Sequence, residues 1–225
     1  GTFDGAGHTI RGLTVDRAGR DEVGLFGSLG STGRVSNLTL AAADITGKNR
    51  VGSLVGGMDG TVESVTATGT VTASAAKSGG LVGSNYGSVT NVSASVAVSG
   101  DDDVGGAVGY TTTPMTNVSA SGDVTGTTNV GGTVGEVAFS TVQTLTASGN
   151  VTGDEFVGGL IGRNRDGTIE NSRATGDVEG IDSTGGLVGY NQGGTVSDSS
   201  ANGTVDGSTE VGGLVGTNAP AGTVT

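Results

Sequence analysis

The chain of 225 residues contains no cysteine and no tryptophan, and only two prolines. Without cysteine there is no disulfide framework, no thiol nucleophile and no cysteine zinc site. With 47 glycines but almost no proline, neither a collagen repeat nor a polyproline linker fits. Aromatic residues make up 3%, too few for a globular core built on large rings. Positive charge is scarce as well: Lys and Arg total 10 against 22 Asp and Glu, a formal charge of -12. That imbalance repels phosphate backbones and argues against a nucleic-acid partner. No uninterrupted run of 18 apolar residues exists, so no membrane-spanning helix is expected. The chain opens at Gly1 with no methionine or signal peptide, which makes it a segment of a longer protein by expectation.

What the sequence has is a period. Segments of the form V-G-G-L-V-G recur, with Leu25, Leu54, Leu81, Ala107, Thr133, Leu160, Leu187 and Leu214 at equivalent places, 26 to 29 residues apart. After each glycine-rich strand comes a short turn carrying Asn or Gly, such as Ser84-Asn85-Tyr86-Gly87. A second strand follows, such as Thr168-Ile169-Glu170-Asn171-Ser172-Arg173-Ala174, then a short third strand such as Asp123-Val124-Thr125. The segments are brief, rich in Val, Thr and Ile, and punctuated by Gly, Asn and Asp, with no sustained 3.6-residue apolar period. Three short strands in every ~27 residues predict one coil of a parallel β-helix, each coil rising by about one interstrand spacing of ~4.8 Å. The expected fold is all-β: a right-handed parallel β-helix (β-solenoid) of about eight coils. The handedness follows by analogy with parallel crossovers. Residues 1–22 read as a lead-in or first partial coil, and 23–225 as the repeats.

Such stacking turns each repeat position into a ladder. Val35, Val62, Val89, Met115, Val142, Ile169 and Val196 form one expected interior column. Leu38, Val65, Val92, Val118, Leu145, Ser172 and Ser199 form a second, an alanine series from Ala67 to Ala201 a third, and Ile45, Val71, Val98, Val124, Val151, Val178 and Val205 a fourth. The glycines Gly52, Gly79, Gly105, Gly131, Gly158, Gly185 and Gly212 read as a bare outer face against which another copy or a further domain could pack.

Five segments, Gly24-Leu25-Phe26-Gly27, Gly80-Leu81-Val82-Gly83, Gly159-Leu160-Ile161-Gly162, Gly186-Leu187-Val188-Gly189 and Gly213-Leu214-Val215-Gly216, resemble the GLUG-motif repeat family of secreted and surface proteins. The copies at Ser53, Gly106 and Gly132 each depart at one position. The resemblance implies an adhesin-like β-helical stalk at the cell surface and transfers no catalytic residue. The implied partners are further copies, further domains of the same protein, or surface glycans.

The candidate sites each carry two readings. Asn37, Asn91, Asn117 and Asn171 begin the second strand in register, which suggests a structural side-chain ladder at a bend. Asn37, Asn91 and Asn117 also head glycosylation sequons. Asn150 and Asn202 head sequons outside that column and are expected to face solvent, so they are the glycosylation candidates. The acids Asp101, Asp102, Asp103, Asp154 and Glu155 lie in closing loops on one edge, with Lys48, Arg50 and Lys77 at the same edge. Stacked carboxylates suit Ca²⁺, but no EF-hand or calcium nonapeptide spacing is present, which favours plain solvation and leaves no cofactor expected. Parallel β-helices include polysaccharide-cleaving enzymes. Here Asp123, Asp177, Glu179 and Asp206 share a face, but Asn150 and Thr204 interrupt it and no basic residue joins them, so no catalytic residues are assigned. His8 sits in a lead-in turn. Tyr110 and Tyr190 share a repeat position with Tyr86 nearby, but two coils without a tyrosine lie between, which weakens a carbohydrate-binding face. Asp outnumbers Glu 15 to 7 and lysine occurs only at Lys48 and Lys77, a balance similar to that of proteins from halophilic archaea.

Overall fold

In the computed structural model, which describes residues 1–225, every regular element is a β-strand. Three sheets run the length of the molecule. Sheet 1 has eight strands, from Asp21–Val23 to Thr209–Gly212, and sheet 2 has eight, from Phe26–Leu29 to Val215–Asn218. Sheet 3 is wide and collects the rest. Like residues sit on like residues in parallel ladders: Val35 on Val62, Val62 on Val89, Val89 on Met115, Met115 on Val142, Val142 on Ile169 and Ile169 on Val196. The one isolated bridge, Arg165 to Gly193, is antiparallel. The fold is therefore a parallel β-solenoid of about eight coils. The lead-in strands Thr2–Asp4, Thr9–Arg11 and Thr14–Asp16 pair with Arg34–Gly47 and supply the first layer of sheet 3.

The lumen holds the small aliphatic columns that the period requires. Val35, Val62, Val89, Met115, Val142 and Ile169 are fully buried, and so are Ala67, Ala94 and Ala174. Each stacked Val or Leu contributes about 1.5–3 kcal/mol on leaving water, and together these columns form one continuous core of 45 residues.

The strand divisions differ from the expected ones. The glycine-rich run is two strands, one in sheet 1 and one in sheet 2, joined by a two-residue corner such as Gly80-Leu81. Both Leu81 and Val82 are buried there. In the early coils the second and third strands fuse into single strands of 12 to 14 residues, Arg34–Gly47, Thr61–Ala73 and Ser88–Ser99. From Gly122 onward the strand divides at this place, whereas Gly69, at the same place in Thr61–Ala73, lies within an undivided strand.

The glycine column also corrects the expected bare outer face. Sheets 1 and 2 fold back on each other, and the glycines lie between them. A Cβ on Gly105 would fall 2.8 Å from the Gly135 nitrogen and 2.9 Å from the Thr133 oxygen, and one on Gly83 would fall 2.5 Å from the Gly56 oxygen. These glycines face the coil's own backbone and offer no surface to a partner. The recurrent G-x-x-G pattern is thus a steric requirement for two sheets at backbone contact.

Candidate functional site

The folded-back edge of sheets 1 and 2 carries the chain's densest chemistry. Each sheet 1 strand has one residue in the left-handed region, in the strand or, for Lys77, just before it: Glu22, Arg50, Lys77, Asp103, Asn129, Phe156, Ser183 and Glu210, with φ from 49° to 66°. Such a conformation costs about 1–2 kcal/mol for a residue with a side chain, and only the surrounding ladders hold it. It turns these side chains out beside the sheet 2 column Gly57, Ser84, Tyr110, Glu136, Arg163, Tyr190 and Thr217, which are consecutive partners in register.

Two buried acids anchor the middle of this edge. Glu136 is 5% exposed and faces two guanidinium groups, Arg165 at 2.8 Å and Arg163 at 3.7 Å. Burial raises its pKa while both arginines oppose that rise. Asp103 is also 5% exposed and accepts a 2.9 Å hydrogen bond from Asn129 Nδ2, which also donates to Asp102. Desolvation, then the neighbouring Asp102 and Glu136 charges, push Asp103 up to about 7, against the weaker pull of Asn129 and Lys77.

The aromatic residues concentrate on the same edge. Of three tyrosines and four phenylalanines, only Phe3 and Phe26 lie elsewhere, packed on each other at 5.4 Å. Tyr86 and Tyr110 are 6.0 Å apart, Lys77 Nζ sits 4.0 Å over the Tyr110 ring, and Arg165 reaches the Tyr110 hydroxyl. Arg165 also lies 5.2 Å over Phe139, which is 67% exposed with φ 56°. Phe156 stacks on Tyr190 at 4.8 Å. Phe139 and Phe156, passed over in the sequence because they occupy different repeat positions from the tyrosines, fill the two coils between Tyr110 and Tyr190. At the early-coil end of this strip lies a pocket of about 180 Å³, floored by Gly57 and walled by Tyr86, Leu29, Glu22, Arg50 and Asp59. Arg50 pairs with Glu22 at 3.0 Å, while its buried Nε has no partner.

The family description "The GLUG motif" matches this chain at residues 75–99, 157–179 and 182–206. The chain carries GLUG repeats. Each match runs from a sheet 1 strand, entered at Val157 in the second match, through a sheet 2 strand to sheet 3, so the motif follows the structural coil. A stretch of 71 residues, 32% of the chain, is 55% identical to the protein named Halomucin from Haloquadratum walsbyi, of which it covers 1%. No solved structure matches.

The asparagine column takes on a backbone role. Asn37, Asn91, Asn117 and Asn171 are exposed and left-handed, with φ from 49° to 55°, a region that Asn tolerates better than most residues. Asn117 Nδ2 donates to Asn91 Oδ1 at 2.8 Å, and Asn37 Nδ2 donates to Asp4 at 3.1 Å. Asn150 and Asn202 are exposed. Asn150 belongs to a second ladder on sheet 3, in which Asp123 accepts from the Asn150 nitrogen, Asn150 Oδ1 from the Asp177 nitrogen, and Asp177 from the Thr204 nitrogen. The Thr204 bonds hold the Asp177 carboxyl below the usual range. Asp177, Glu179 and Asp206 line an open trough of about 320 Å³ there. His8 closes a lead-in turn through its contact with the Gly5 carbonyl at 2.9 Å.

The acids of the closing loops separate. Asp101, Asp154 and Glu155 are exposed while Asp103 is buried, and no group of three or more His, Asp or Glu side chains gathers to hold a metal. The buried asparagines were missed in the sequence. Asn85, Asn164 and Asn191 are fully buried behind the sheet 2 turns, where Asn164 Nδ2 donates to Gly167 O and to Asn191 Oδ1, and Asn191 repeats the pattern with Gly194 and Asn218. Their recurrence at the repeat spacing was the available signal.

Proposed function

We propose that this chain is a structural spacer of a secreted or cell-surface protein, a stiff stack of GLUG coils that holds other parts of that protein away from the cell, with no catalytic role. The observation that supports it is the unbroken register. Eight strands in each of sheets 1 and 2 zip main chain to main chain along a single axis, so bending the stack requires breaking several parallel ladders together. The acidic exterior fits the same reading. At a formal charge of -12, a compact rod repels itself in dilute buffer, and molar salt removes that repulsion because the Debye length falls to ~3 Å at 1 M. The halomucin stretch comes from a halophilic archaeon, which agrees with both the charge and a surface setting. Asn150 and Asn202 would carry glycans on the exposed side of sheet 3, and copies of the chain or further domains would be its neighbours.

The test is labelling of intact cells of the source organism with antibodies raised against residues 1–225. Labelling without lysis is the expected result. Labelling that appears only after lysis overturns the surface reading.

A further inference from the structure

We propose that the pocket floored by Gly57 and walled by Tyr86 binds one neutral hexose ring of a polysaccharide, whose chain then runs along the solenoid axis over Tyr110 toward Phe139. The proposal stands on the geometry of the edge alone and does not depend on where the protein resides.

Four observations converge on it. Aromatic rings are rare in this chain, yet five of the seven sit on this one edge, outside the core that large rings normally serve. Tyr86 is 42% exposed and Phe139 67%, and Phe139 holds its ring outward from a left-handed backbone that disfavours a bulky residue. Flat apolar rings open to solvent suit the C–H face of a pyranose.

The pocket supplies the polar half of such a site. Glu22 and Asp59 present carboxylate acceptors and Arg50 a planar set of donors, the groups that pair with neighbouring hydroxyls. Two carboxylates against one guanidinium leave the pocket negative, which selects a neutral sugar over a uronate or a sulfated one.

The spacing matches as well. Tyr86 and Tyr110 lie 6.0 Å apart on successive coils, and a coil rise of about 4.8 Å is close to the length of one sugar ring, so each coil offers its platform to the next sugar. The pocket exists because Gly57 stands where later coils place Ser84, Tyr110 and Glu136.

Gly57 also provides the decisive variant. Unlike Gly83, it has room for a side chain: a Cβ there would meet nothing nearer than Glu22 Oε1 at 3.6 Å. Gly57→Tyr should therefore fill the pocket and leave the coil folded. The experiment is isothermal titration of residues 1–225 in molar KCl with neutral gluco-, manno- and galacto-hexasaccharides, and with oligogalacturonate and hyaluronan fragments for comparison. The expected result is binding of at least one neutral hexasaccharide at roughly 1 mM or tighter, weakened about tenfold or more by Tyr86→Ala and abolished by Gly57→Tyr. Phe139→Ala should weaken the hexasaccharide but not a disaccharide. Tyr86→Ala removes an exposed ring, so it keeps the test intact should Gly57→Tyr melt early. No binding of any neutral hexasaccharide at about 10 mM, binding confined to the acidic sugars, or binding unchanged in Tyr86→Ala overturns the proposal.

Discussion

Sheet 3 and the folded-back edge of sheets 1 and 2 belong to the same coils but solve different problems. On sheet 3 many outward residues are short and polar, alongside longer ones such as the paired Arg34 and Glu63, and short ones bond to the next coil: Asp123 to Asn150, Asn150 to Asp177, Asp177 to Thr204. Each repeat there supports its neighbours with the same small vocabulary. On the folded-back edge the backbone is fixed by glycine, while the side chains beside it vary freely from Arg50 to Lys77, Asp103, Asn129 and Phe156. The lesson is that strict repetition sits where the backbones of two sheets touch, and variety collects immediately outside that contact. Individual chemistry is possible there because the glycines underneath already hold the coil together.

Three substitutions bear on this contrast, from the largest effect to the smallest. Gly105→Leu drives a side chain into the backbone of the next coil, and should destabilise by about 4 kcal/mol or more, or prevent folding, in chemical denaturation. An equal melting temperature for this variant and the parent would show that the two sheets do not touch as described.

The second concerns Asp103. Its folded carboxyl keeps its proton up to about 7, while the unfolded aspartate releases it near 3.8. The folded state therefore binds more protons in this window, so the stability Asp103 contributes is full below about pH 4 and is lost as the pH rises through 7. Asp103→Asn should flatten that slope and raise stability at pH 8 by as much as ~4 kcal/mol, read from denaturation midpoints at pH 5 and pH 8. A slope that survives the substitution would assign the pH response to other groups, with Glu136, whose pKa burial also raises, the nearest.

The third lies on sheet 3. Thr144 is a β-branched residue at φ 57°, in the column otherwise held largely by Asn. Thr144→Asn should gain roughly 1 kcal/mol and extend the amide ladder between Asn117 and Asn171. A loss of stability in thermal melts would count against a left-handed bend as the reason for that column.

Much of the architecture was legible in one dimension. The columns of Val, Met and Ile at the repeat spacing identified the lumen, because a residue repeated once per coil must lie above itself if coils stack. The alanines were legible for the same reason. The glycines were legible as a motif but misread as a surface, since a missing side chain looks alike whether the space beside it holds solvent or a second strand. Gly105 shows the difference only when the backbone of Thr133 and Gly135 is placed beside it. Asn85 was legible only as a turn residue, and the burial of Asn85 and Asn164 is visible only once the coils are stacked.

The amino-acid sequence by itself determined the period, the parallel stacking and the composition of the core, because in-register repetition couples each coil only to its neighbours and local spacing is enough to describe it. Tertiary structure alone decided which residues of different repeat positions meet at the folded-back edge. Tyr86, Tyr110, Arg165 and Phe139 come from four different coils, and Tyr110 and Phe139 from columns other than the one Tyr86 shares with Arg165. No single spacing along the chain relates all four, and the stacking of successive sheet 2 strands and their turns sets them side by side.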